Sequence, residues 1–84
     1  MIKVYSMNNC PYCEELKGLL NNEEIVFTDV DINLPENKEE SDMVFKITKV
    51  DSVPIVKVGT QLLAPDISFT SIEECFELTK RFMV

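Results

Sequence analysis

The sequence predicts an α/β domain built on a four-stranded mixed sheet with helices on both faces. Three observations carry that expectation. Short β-favouring runs alternate with longer stretches whose apolar residues recur at helical spacing. In chain order they read strand, helix, strand, helix, strand, strand, helix. The last two strands are separated only by Gly59-Thr60, which fits a two-residue hairpin loop. A strand–helix–strand start makes a parallel pair, and the closing hairpin adds an antiparallel one.

Each element has its own signal. Residues 2–6 form the first strand, with Val4 and Tyr5 β-favouring. Met7-Asn8-Asn9 is a polar turn, and Pro11 fits the first turn of a helix, where a missing N–H costs nothing. Leu16, Leu19 and Leu20 make one stripe on that helix, which reaches Asn22. Residues 25–30 read as the second strand. After Asn33-Leu34-Pro35 a helix is expected from Glu36 to Thr48, with Met43, Val44 and Ile47 facing inwards. Its Glu36–Glu40 cluster suits a solvated helix start favoured by the dipole. Pro54 opens the third strand, residues 55–58, and residues 61–63 form the fourth. Thr70 or Ser71 caps the last helix, with Glu73 and Glu74 three residues on from each. That helix is expected to bury Ile72, Cys75, Phe76 and Phe82, and Phe27 and Phe45 join the core.

With 84 residues the chain has room for one domain, spanning 1–84, and a modest core. Fifteen acidic residues against eight basic ones leave a net charge of −7. The basic residues are scattered, which argues against nucleic acid as a partner. No segment has the layout of a signal peptide or the roughly 20 apolar residues of a membrane span. A soluble, cytoplasmic monomer is therefore expected. Three cysteines cannot build a disulfide framework, because one is always left over.

Cys10-Pro11-Tyr12-Cys13 carries the chemistry. A thiolate is the attacking species in disulfide exchange. Cys10 stands just before a helix, where free N–H groups and the positive dipole end favour negative charge. Its pKa should fall moderately below the free value of about 8.5. Glu14 and Glu15 oppose that shift, and Lys17 compensates weakly. Cys13 lies one turn in, on the face of Leu16 and Leu20, and should be shielded. Cys10 is thus expected to be the exposed nucleophile and Cys13 the resolving thiol. The same spacing forms half of many zinc sites. Here there is no histidine, and the third cysteine is distant, so four soft ligands cannot come from one chain. Cys75 shares a helical face with Ile72 and Phe76 and reads as packing.

Cys10-Pro11-Tyr12-Cys13 after Val4-Tyr5-Ser6 resembles the active-site segment of the dithiol glutaredoxins. Ser52-Val53-Pro54 is similar to that family's Thr-Val-Pro, and the element order matches its version of the thioredoxin fold. The resemblance implies strand order 2-1-3-4, flanked by three helices. It implies a thiol–disulfide oxidoreductase with catalytic Cys10 and Cys13 and a cis peptide at Val53-Pro54. It further implies that the Val53 backbone pairs with substrate and that Tyr12 borders the substrate groove. Tyr12 also reads simply as a partly exposed aromatic of the first helical turn. No tightly bound cofactor is implied. Glutathione is the implied co-substrate, and protein disulfides, ribonucleotide reductase among them, are the implied partners.

Several positions depart from the family pattern. Met7 stands where a lysine usually meets a glutathione carboxylate, and Val50-Asp51 precede Ser52 where a basic or amide residue is common. Ala64-Pro65-Asp66-Ile67-Ser68 replaces the Gly-Gly-x-Asp that holds the γ-glutamyl end. Asp66 supplies the acidic group, and Ser68 or Thr70 is a candidate hydroxyl donor, but Pro65 has no N–H to offer. One alternative is a redoxin reduced by a thioredoxin reductase. Another, of a different class, is a binding module whose cysteines hold a metal or iron–sulfur cluster between two chains.

Overall fold

The computed structural model describes residues 1–83. β1 (Ile2–Ser6) leads into α1 (Pro11–Asn22) and β2 (Thr28–Asp31). A short 3-10 turn over Pro35–Asn37 precedes α2 (Lys38–Thr48), and β3 (Ile55–Val58), β4 (Gln61–Leu63) and α3 (Ile72–Phe82) complete the chain. The sheet has the order β2-β1-β3-β4, as expected. β1 runs parallel to β2, pairing Tyr5 with Val30. It runs antiparallel to β3, pairing Val4 with Val56. Gly59, at φ 60°, makes the tight β3–β4 turn that a side chain would strain.

The period of two along β1 sends its side chains to opposite faces of the sheet. Ile2 and Val4 pack under α1 and α3 with Leu16, Leu20, Val56, Ile72, Cys75 and Phe76. Tyr5 points the other way, into a smaller core with Val30, Val44, Ile55 and Ala64 beneath α2. α1 is thereby fixed from below, which sets the position of its N-terminus and of the cysteines there.

Four expectations are corrected. β2 starts at Thr28 rather than residue 25, because the chain is still closing α1: Ile25 N–H donates to Leu20 O (2.9 Å), and Val26 is exposed. Met43 and Ile47 face solvent instead of the core. The inward face of α2 is Ser41, Val44, Phe45 and Thr48, spaced i, i+3, i+4, i+7, and Met43 and Ile47 fall off that stripe. Phe82 is likewise exposed, and Thr79 takes its place beside Ile72, Cys75 and Phe76. Glu40 is not merely solvated, since its Oε2 accepts from Lys3 Nζ (2.8 Å) and Tyr5 Oη (2.6 Å).

Candidate functional site

The dithiol is built by the turn that joins β1 to α1. Asn9 adopts the left-handed conformation at φ 60°, which asparagine tolerates better than most residues. That turn leaves Cys10 extended at the N-cap, with Pro11 as the first helical residue. Cys10 O accepts the first helical bond from Glu14 N–H (3.0 Å), and Cys10 Sγ accepts from Cys13 N–H (3.2 Å). A sulfur therefore does what Ser or Asp usually does at a helix start.

Cys10 and Cys13 are joined in a disulfide, with their Cα atoms 5.3 Å apart. Cys10 is 8% exposed and Cys13 0%. The expectation of an openly exposed Cys10 is thus corrected: bonded to Cys13 and folded over the first turn, it keeps only a sliver of surface. The order of accessibility is the expected one. Cys75 is buried among α1 and α3 side chains, and burial pushes its thiol up to about 12.

Lys17 is not available to the sulfurs. Its Nζ lies 3.0 Å from Glu14 Oε2 and 3.1 Å from Asp29 Oδ2. Asp29 also accepts from Ser6 Oγ. This chain of contacts ties the first turns of α1 to β2 and holds the Glu14 carboxylate on the Lys17 side.

A groove of about 250 Å³ lies beside the dithiol segment. Tyr12, Val53, Pro54 and Asp66, singled out from the sequence as substrate-binding residues, all line it. Tyr12 is largely exposed, Val53 half-buried, Pro54 buried and Asp66 exposed. The Val53-Pro54 peptide is cis. Val53 makes no backbone hydrogen bond to another described residue.

Phe69 and Ile72 supply the apolar floor of the groove and were not anticipated there. Phe69 gave no periodic signal, standing as a lone aromatic in a polar connection. It is placed by its own carbonyl, which accepts from Asp66 N–H (2.8 Å). Ser68 is turned to other work: its Oγ accepts from Ala64 N–H (3.1 Å). The Thr70 hydroxyl is committed to Glu74 Oε1 (3.3 Å). With Pro65 lacking an N–H, the loop has few donors left for a ligand. Among the described residues Asp66 is the one charged residue in the groove lining, which contains no Lys or Arg. Among the described residues no cluster of three or more His, Cys, Asp or Glu is arranged to hold a metal ion.

A four-stranded sheet in this order, a dithiol at the start of α1 and a Val-Pro opening β3 define a thiol oxidoreductase of the thioredoxin fold. The Glutaredoxin family profile matches residues 2–63, and the chain belongs to that family. A glutaredoxin-like 8.6 kDa protein of the rubredoxin operon of Clostridium pasteurianum is 30% identical over 63 residues, covering 75% of this chain and 81% of that protein. Glutaredoxin C1 of Populus tremula x tremuloides superposes with a TM-score of 0.70 at 20% identity, covering 98% of this chain and 76% of its own. The glutaredoxin-like NrdH-redoxin of Escherichia coli gives 0.62 at 19% identity, covering 95% and 91%.

Proposed function

We propose that this chain reduces protein disulfides through Cys10 and is itself regenerated by a thioredoxin-reductase type dithiol enzyme in preference to glutathione. The observation that carries the first half is the N-cap position of Cys10. The Cys13 N–H aimed at Cys10 Sγ and the helix dipole both favour a thiolate there over a thiol. In the reduced protein the Cys10 thiolate attacks one substrate sulfur. A mixed disulfide forms and the other substrate sulfur leaves as a thiolate. Cys13, deprotonated, then attacks Cys10 Sγ and expels the first substrate sulfur. Two electrons pass to the substrate, and the enzyme is left with the Cys10–Cys13 disulfide described above.

The lining of the groove supports the second half. Glutathione carries two carboxylates, and charge-assisted contacts to such groups contribute about 1.5–3 kcal/mol each. Among the described residues no cation lines this groove, and Met7 occupies the place of the family's usual lysine. The NrdH-redoxin, whose whole length this chain nearly spans, is described as having a thioredoxin-like activity profile. Protein disulfides such as that of ribonucleotide reductase are suitable electron acceptors.

The test compares two donors at equal protein: NADPH with a thioredoxin reductase, and millimolar glutathione with glutathione reductase. Faster turnover with the first is expected. Equal or faster turnover with glutathione overturns the choice of reductant. Cys13→Ser should trap a mixed disulfide at Cys10, and Cys10→Ser should be inactive. Full activity in Cys10→Ser would refute the assignment of the attacking sulfur.

A further inference from the structure

We infer that the groove beside the dithiol docks an extended peptide segment of the disulfide substrate that carries a lysine or arginine within two residues of the reacting cysteine. The inference rests on Cys10 being the attacking sulfur. It adds a preference among substrates that the dithiol alone does not supply.

Three features converge. The first is size. A groove of about 250 Å³ falls below the roughly 300–1,000 Å³ typical of sites that enclose a whole small ligand. It has room for one or two side chains of a strand that continues beyond it. The second is backbone. Among the described residues Val53 has no backbone hydrogen-bond partner at the groove wall, as an added strand requires, and alternate side chains of that strand then face the protein.

The third is charge. Asp66 lines the groove, is exposed, and makes no ion pair or side-chain hydrogen bond to another described residue. Its left-handed backbone, at φ 65°, is pinned by its N–H bond to Phe69 O (2.8 Å). The backbone that bears this carboxylate is therefore fixed, and among the described residues the carboxylate has no cation of its own. Glu15 stands one helical turn from Tyr12 on the same face of α1, and Asp51 stands two residues before Val53; both are exposed and unpaired among the described residues. Glu14, by contrast, is paired with Lys17, which it shares with Asp29. An apolar floor of Pro54, Phe69 and Ile72 under an unpaired carboxylate matches the aliphatic stem and charged head of Lys or Arg.

The experiment uses the pre-reduced full chain in single turnover, so that no reductant enters. Two disulfide-bridged peptides are compared that differ only in Lys or Glu two residues from one cysteine. At low salt the Lys peptide should react about fivefold faster, the effect of one partly screened charge pair. Asp66→Asn keeps a residue that tolerates the left-handed backbone and should clearly lower the ratio; Asp66→Lys should lower it further. A ratio near one in the wild type, or one unchanged in Asp66→Asn, overturns the inference. Reduction of glutathione disulfide that depends on Asp66 while both peptides react equally would assign the groove to the tripeptide instead. If neither peptide reacts, the reading of Cys10 fails as well, so the two failures are distinguishable.

Discussion

At the scale of single residues, the site separates three cysteines by environment rather than by sequence neighbours. Cys10 keeps 8% of its surface and Cys13 none, and the two are bonded to each other. Cys75, on α3, is sealed in the core against α1 and the sheet, where burial raises its pKa to about 12. A thiol reagent at pH 8 should therefore label the reduced native protein at Cys10 first and leave Cys75 unmodified until the chain is unfolded. Mass spectrometry of labelled peptides reads this directly; prompt native labelling of Cys75 would contradict its placement. The Cys10–Cys13 order was legible because a proline and the leucine stripe mark where the helix begins and which way it faces. The near-burial of Cys10 was not, since it depends on the disulfide and on the fold of the turn before it. Nor was the engagement of Lys17 with Asp29, a residue twelve positions away that only the parallel pairing of β1 and β2 brings near.

Among elements, α2 is the one most dependent on a polar tie. Glu40, near its start, accepts from Lys3 and Tyr5 on β1, joining helix to sheet. The Lys3 hydrogen bond, then that of Tyr5, holds the Glu40 carboxyl below the usual carboxylate range. Burial and the adjoining Glu40 hold the Tyr5 hydroxyl well above tyrosine's range. Because the folded pKa of Glu40 lies below its unfolded value, its stabilisation is present above the ordinary carboxyl pKa near 4.3 and is lost as pH falls through the folded value. Glu40→Gln should cost about 1 kcal/mol at pH 7, since the Lys3–Glu40 pair is partly solvated, and less at pH 3. Urea unfolding at the two pH values measures it. An equal cost at both would mean that the carboxylate charge contributes nothing. Helix spacing, not apolar identity, was the reliable sequence signal here: Val44 and Thr48 follow the stripe, whereas Met43 and Ile47 do not. Thr79 shows the same on α3, buried with its hydroxyl donating to Cys75 O (2.8 Å).

For the molecule as a whole, the order of elements and the hairpin loop were enough to anticipate the sheet, because a strand–helix–strand unit and a two-residue turn leave few ways to pair. The groove was legible only in part. Tyr12, Val53, Pro54 and Asp66, named from the family resemblance, line it, but Phe69 and Ile72 reach it through a connection with no periodicity. The sheet also divides the interior into two cores that share no side chain, since the pleat assigns each residue of β1 and β3 to one side. Val4 and Tyr5 are neighbours in the chain and lie in different cores.

That division sets how the protein opens. β1 and β3 hold both cores, whereas β2 and β4 lie at the sheet edges. Loss of α2 would expose one side while leaving the redox helix seated on the other. Amide protons of α2 should then exchange with deuterium through a partial opening, and those of β1 and β3 only through global unfolding. Mass-resolved exchange of the oxidised protein should find α2 amides replaced earlier than those of α1. Simultaneous exchange of both helices would indicate a single cooperative unit across the sheet.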